Sequence, residues 1–383
     1  MHNFSPYSAV LAWMGTLSFA FAYDPGDAGV RLTNSITIQA NIGRPADVEF
    51  SPDGKFLAAG GFFVSRGDGD VIQGSLGVWD LETLKRTEVR FRDLPADFRP
   101  QVRDFPFLNF RSVAFSPDGR LLATGIGGYK PENGTTFTGT VILFEAKTGE
   151  RKAVLSGHSD QVTSVKFHPA GRLLASAGAD NSIRLWDVRE GKLKATLSGH
   201  TEGIQQIRFS IEGSLLASAG GRDKTVRIWA AKAGKEIAVL EHDEFVSAVA
   251  ISPDGKTIAS SGHDPRNRTG DHIRLWHRGT EKLKTRLPGH KGDIRDIAFS
   301  PDGKLLVSVG GKPLVRRLRE NSGGPGELKL WNAASGKELA SVETEDQFTS
   351  VAFSPNGKRL AAGNLDGTIR LWDLAQPQNG DSR

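Results

Sequence analysis

The sequence predicts an all-β fold: one ring of seven four-stranded sheets, closed when an N-terminal strand completes the last sheet. Three observations carry this. A turn motif recurs seven times along the 383 residues. Each copy opens the same succession of apolar run, β-branched strand and aromatic. The last copy lacks a fourth strand, while an alternating strand stands unassigned at the other end of the chain.

The turn motif is Phe50-Ser-Pro-Asp-Gly54, and later copies start at Phe115, Phe167, Phe209, Ile251, Phe299 and Phe353. Pro presets φ, Asp bonds the local backbone and Gly accepts positive φ, so each copy reads as a tight turn between strands. Successive copies lie 65, 52, 42, 42, 48 and 54 residues apart. The shortest spacings suit a four-stranded unit of about 40–45 residues, and the longer ones mark insertions.

After each turn comes a short apolar strand, for example Leu174-Ala175-Ser176 or Leu216-Ala217-Ser218. A β-branched strand follows and ends on an aromatic: Trp79, Phe144, Trp186, Trp229, Trp276, Trp331 or Trp372. A polar turn such as Glu190-Gly191-Lys192 leads into a fourth strand. Each unit therefore reads as strands a, b, c and d. No unit alone can bury both apolar faces, so the seven must stack around an axis.

Only ten residues follow Trp372-Asp373, and they include Pro377 and Gly380. A fourth strand is not expected there. Ser35-Ile36-Thr37-Ile38-Gln39 alternates, and it precedes the first turn motif as the other d strands do. It is expected to complete blade 7, removing two sheet edges by closure. Length alone suggests ~2–3 domains. The repeats replace that prior with a single domain over residues 31–374, followed by a polar tail at 375–383.

Composition narrows the function classes. Hydrophobic residues at 38% and charged residues at 24% suit a folded soluble chain rather than a disordered one. Cysteine is absent, which excludes disulfides, thiolate metal sites and cysteine nucleophiles. The net charge of +5, from 49 basic and 44 acidic residues, is a small excess that permits an acidic partner but does not argue for nucleic acid, which wants basic residues concentrated on one face and is an unlikely partner. No apolar run reaches the ~20 residues of a membrane helix. Residues 1–23 carry no Asp, Glu, Lys or Arg, and Ala20-Phe21-Ala22 has the small residues of a cleavage site. Residues 1–22 thus read as a signal peptide or N-terminal anchor, although the start lacks the usual Lys or Arg. Export to the periplasm or medium is favoured over the cytoplasm.

Gly157-His158, Gly199-His200 and Gly289-His290 precede a strands, and Trp79-Asp80, Trp186-Asp187 and Trp372-Asp373 end c strands. These residues resemble the WD40-repeat family of seven-bladed β-propellers, in its bacterial type. Four blades depart from the dipeptide, with Phe144-Glu145, Trp229-Ala230, Trp276-His277 and Trp331-Asn332. The resemblance implies a hydrogen-bonded tetrad of His before strand a, Ser or Thr on strand b, Asp in the b–c turn and Trp on strand c. His158, Ser176, Asp180 and Trp186 match it in blade 3, and His200, Ser218, Asp223 and Trp229 in blade 4. His242 and His290 keep the His position in blades 5 and 6, where insertions leave the acid unplaced. Asn41, Pro106 and Thr344 stand at that position in blades 1, 2 and 7, whose tetrads should be absent.

A Ser–His–Asp set invites a hydrolase reading, but repetition of the set suits a structural staple that gives a buried indole N–H its acceptor. No nucleophile elbow or P-loop stands elsewhere. The expectation is a non-catalytic protein with no cofactor and no metal. His263-Asp264 and Asp271-His272 have ligand chemistry, but Arg266 and Arg268 between them oppose a cation.

Function is expected where the repeats vary. Insertions fall between strands b and c at 62–75, 127–139, 263–270 and 311–326, with a long d–a connection at 92–109. In a propeller these loops open on one face, so that face is expected to bind one or more protein partners. Phe62, Phe63, Tyr129 and Phe137 are candidate aromatic anchors there, and Arg266, Arg268, Arg316, Arg317 and Arg319 candidate carboxylate grips. Two other readings stand beside the scaffold. One is an exported enzyme or small-molecule binder using the central funnel. The other is a nucleic-acid or phosphoinositide binder using the arginine loops, which steep salt dependence would mark.

Overall fold

The computed structural model describes residues 30–40, 42–65, 71–88, 109–127, 139–262, 272–311 and 325–375. Its turns follow from their residues. In the first copy Ser51 Oγ donates to Asp53 at 2.6 Å, the Lys55 amide donates to the same carboxylate at 3.0 Å, and Gly54 sits at φ 69°. A side chain at that φ is strained, so glycine ends each turn. In the third copy His168 replaces the serine, and its Nδ1 accepts from the Ala170 amide at 3.0 Å.

Seven antiparallel four-stranded sheets result. Their innermost a strands are Arg44–Phe50, Asn109–Phe115, Val162–Phe167, Gln206–Phe209, Val249–Ile251, Asp293–Phe299 and Phe348–Phe353. Strands b, c and d follow outward in chain order in six sheets. The seventh takes its outer strand from the other end of the chain, Arg31–Gln39. That strand pairs with Thr368–Ala375, placing Ile36 opposite Leu371 and Ile38 opposite Ile369. The closure expected from the alternating pattern is therefore present.

The core lies between sheets. Among the described residues, seven apolar clusters fill the seven blade interfaces. Each strand-c aromatic packs into the preceding blade. Trp186 joins Ala114, Val141 and Leu143 of blade 2, and Trp229 joins Ile183 and Leu185 of blade 3. At the seam, Val48, Phe50 and Trp79 of blade 1 meet Ile38, Ile369 and Leu371 of blade 7. Removing a blade would expose two such faces, which is why the repeats are stable only as a set.

A polar zipper links the inner strands. The Val113 amide donates to Asp47 Oδ2 at 3.0 Å, and the Val165 amide to Ser112 Oγ at 3.1 Å. The Ile207 amide donates to Ser164 Oγ at 3.2 Å, and the Val249 amide to Gln206 Oε1 at 2.9 Å. The Val351 amide donates to Asp296 Oδ2 at 3.0 Å. Every acceptor sits three residues before the end of its a strand. The bonds satisfy amides that an inner sheet edge would otherwise leave open.

One expectation needs correcting. Residues 62–65 and 71–75 are strand rather than loop: Phe56–Ser65 and Val71–Asp80 run on as an antiparallel pair, out to Ser65 opposite Val71. Phe62-Phe63-Val64 and Val71-Ile72 are strand formers, so this insertion lengthens the strands. Among the described residues no helix is long and apolar enough to cross a membrane.

Candidate functional site

Two polar systems are built on this frame: buried histidine networks between strands, and the wall of the axial channel. In blade 3, His158 Nδ1 lies 2.9 Å from Asp180 and Nε2 lies 2.7 Å from Ser176 Oγ. Trp186 Nε1 donates to the same hydroxyl at 2.8 Å. A Cβ on Gly178 would fall 2.6 Å from Asp180 Oδ1 and 2.8 Å from His158 Nδ1, so glycine leaves room for the pair. Blade 4 repeats the set through His200, Asp223, Ser218 and Trp229, with the Nε2–Oγ distance 2.6 Å and the indole bond 2.9 Å.

Blade 6 builds the same network with a different acid. Glu327 Oε2 lies 3.1 Å from His290 Nδ1 and accepts from the Lys291 amide at 2.8 Å. Ser308 Oγ again joins His290, at 2.6 Å, to Trp331, at 2.8 Å. Sequence reasoning missed Glu327 because it looked for Asp in the turn. The signal was a carboxylate four residues before the strand-c Trp. The same position holds Ser182 in blade 3 and Thr225 in blade 4, whose hydroxyls donate to Asp180 and Asp223 at 2.8 and 2.9 Å.

Blade 5 is incomplete among the described residues. His242 Nε2 lies 3.1 Å from Ser260 Oγ, and Trp276 Nε1 donates to that oxygen at 2.8 Å. His242 Nδ1 is buried without a partner there. At the strand position that supplies Glu327 in blade 6, this blade has His272, and Arg274 lies beyond it.

These environments set protonation in opposite ways. Burial alone would raise the Asp180 carboxyl, but the hydrogen bond and charge of His158 outweigh it and bring it to about 2. For His242, burial first, and then the charges of Arg274, His272 and Arg286, bring the imidazole down to about 3. The folded chain thus refuses a proton at His242 that the unfolded chain accepts near pH 6.5. Stability is full above pH 6.5 and falls toward pH 3, by about 1.4 kcal/mol per pH unit for this one group. His242→Asn is expected to flatten the urea-midpoint profile between pH 6.5 and 4.5; equal slopes in variant and wild type would contradict the assignment.

The serine–histidine–acid sets are closed to substrate. Ser176, Ser218 and Ser308 are each 0% exposed, and each hydroxyl already accepts an indole proton. Their chemistry is that of a cross-strand staple.

The channel is different. A cavity of about 440 Å³ sits on the ring axis, walled by the first halves of the inner strands and by Leu365 from the b–c turn of blade 7. It therefore opens on the side of the b–c turns and d–a connections. Asp296 stands deep in its wall, where its Oδ1 accepts from Gln206 Nε2 at 2.7 Å and from Arg208 Nη2 at 3.1 Å. Burial raises the Asp296 carboxyl; Arg208 opposes the shift and Asp47 adds to it. Lys166 pairs with Glu49 and lies 3.9 Å from Asp47.

Of the anchors expected from the sequence, Phe62 and Phe63 lie on the lengthened b strand of blade 1. Tyr129, Phe137, Arg266, Arg268, Arg316, Arg317 and Arg319 lie outside the described residues, as do residues 1–22. Sequence reasoning did not single out the channel wall.

Comparison with known proteins fits this geometry. The family model for the WD domain, G-beta repeat matches residues 109–135, 149–187, 191–230, 234–277, 281–332 and 336–373, together more than half of the chain. The chain belongs to the WD40 family. The match at 149–187 joins the last strand of blade 2 to the first three of blade 3, so repeat and blade are out of step by one strand. That offset is why a WD40 ring such as this one needs a strand from its far end.

Among relatives, the chain is 30% identical over 135 residues to the meiotic recombination protein rec14 of Schizosaccharomyces pombe, covering 35% of this chain and 34% of that one. It is 30% identical over 102 residues to the small ribosomal subunit protein RACK1 of Caenorhabditis elegans, covering 27% of each. It is 31% identical over 64 residues to a coronin-like protein of Saccharomyces cerevisiae, covering 17% of this chain and 10% of that one. The matched stretches thus span about a third of these relatives or less.

Proposed function

We propose that this propeller is a non-catalytic protein-interaction scaffold whose partner docks on the face where the b–c turns, the d–a connections and the channel mouth meet. The observation that carries the reading is a polar cavity open on that face, while the catalytic-looking serines are sealed. The b–c insertions leave from strand ends on the same side, and the lengthened blade 1 strands extend it. The relative named as a ribosomal subunit protein belongs to an assembly, which suits a scaffold.

Affinity capture from native extract and culture medium tests this. Partners held by wild type are expected to be lost when the loops at 263–270 and 311–326 are shortened. They are expected to be retained in Arg120→Gln, at the 86%-exposed Arg120 in an a–b turn on the opposite face. An unchanged partner set in the loop variant would refute the assigned face.

A further inference from the structure

We propose that the channel mouth is an anion site, where Arg44, Arg111 and Arg295 grip the carboxylates of an acidic peptide segment of the partner. The inference rests on the scaffold reading and specifies its chemistry.

Local backbone geometry puts two of the three arginines there. The strand registers shift between Phe110 and Ser112 and between Ile294 and Asp296, leaving Arg111 and Arg295 as the extra residues of two bulges. A bulge re-aims its extra side chain, and both arginines line the cavity. Arg44, at the start of its strand in blade 1, lines it too.

The charges at the mouth leave cations in excess. Among the described residues the side chains of Arg44 and Arg111 have no hydrogen bond or ion pair. Arg295 gives one bond, from Nη2 to Gln347 Oε1 at 2.9 Å. Three carboxylates share the wall: Asp47, Asp293 and Asp296. Asp47 accepts from Ser112 Oγ and the Val113 amide, and Asp296 from Arg208, Gln206 and two amides. The charge of Asp293 favours the Arg295 cation, against the burial that lowers it. With Arg208 the wall therefore carries four guanidinium groups against three carboxylates. Protein walls strip hydration from Arg111 and Arg295 and lower both, and an incoming anion relieves that cost.

The wall also selects the ligand class. The hydroxyls of Thr163, Ser247 and Thr349 donate their protons to backbone carbonyls, and Ser350 Oγ is the wall hydroxyl left without a partner among the described residues. Phe245 lines the cavity, and one aromatic is too little for a run of stacked bases. The arginines come from blades 6, 1 and 2, an arc across the ring seam. Several carboxylates spaced along a chain suit that arc better than one tetrahedral anion, and each planar carboxylate matches a guanidinium fork.

Fluorescein-labelled hexaglutamate is the probe, with hexaglutamine, inorganic phosphate and a single-stranded oligonucleotide as competitors. Wild type is expected to bind hexaglutamate, and Arg111→Gln to weaken it about tenfold, the effect of one lost charge-assisted contact. Arg111→Lys should recover part of the loss, and R120Q should match wild type, with all variants melting together. Affinity in R111Q within about twofold of wild type would overturn the site. So would stronger competition by phosphate, the oligonucleotide or hexaglutamine. Partner capture separates the two claims. If the loop variant loses its partners while R111Q keeps them and binds hexaglutamate, the anion site falls and the scaffold face stands. If R111Q alone loses hexaglutamate while the loop variant keeps every partner, the assigned face falls.

Discussion

Asp296→Ala is expected to cost about 3–5 kcal/mol of folding stability, the range for breaking a buried pair and leaving its partner charged. Asp296 is 2% exposed, and four donors converge on it: the Ile297 and Val351 amides, Gln206 Nε2 and Arg208 Nη2. Those donors come from blades 4, 6 and 7, so the carboxylate ties three inner strands at one point of the axis. Alanine leaves all four without an acceptor in a wall that water reaches poorly. Asp296→Asn keeps an acceptor oxygen and should cost less. The sign of the pH effect separates charge from shape. Because the folded-state carboxyl is raised, the folded wall holds a proton that the unfolded chain gives up near pH 3.8. Wild-type stability should therefore fall as pH rises from 3.8 through the folded value, relative to D296N, which does not titrate. Urea midpoints across that window check both claims, and a cost below about 1 kcal/mol for D296A would show the zipper to be dispensable.

The same residue shows where sequence reading stops. Blades, closure strand and the networks of blades 3 and 4 were legible because a fixed residue type recurs at a fixed spacing. The axial zipper has no such signature. Asp47, Ser112, Ser164, Gln206 and Asp296 share only an acceptor atom at one strand position, and chemistry that different does not align as a motif. Arg111 and Arg295 looked like ordinary strand charges, because nothing in the sequence marks a bulge. Glu327 was hidden for a related reason: a longer side chain from strand c reaches the Nδ1 that a turn Asp reaches in blades 3 and 4. The insertion at 62–75 reads as loop by length alone, whereas the Phe, Val and Ile content at its two ends favours the strand seen at 62–65 and 71–75.

Ile38→Asp is expected to open the ring. Ile38 is 7% exposed and packs with Ile369, Leu371 and Trp79 at the interface between the last blade and the first. Losing its burial and placing an unpaired carboxylate there should cost about 3–5 kcal/mol. Thr37→Asp is the control: Thr37 is exposed, sits opposite Arg370, and its change should stay within about 0.5 kcal/mol. Release of Arg31–Gln39 would leave Thr368–Ala375 as an open edge, a template for pairing with another chain. Size-exclusion chromatography should then show I38D as larger species where wild type and T37D show one small one. A monomeric I38D with wild-type melting would mean that the seam is held without this strand. The seam also couples closure to recognition, since Arg295 lies on one side of it and Arg44 on the other. An open ring should part these arginines, so hexaglutamate affinity should fall in I38D although no channel residue has changed.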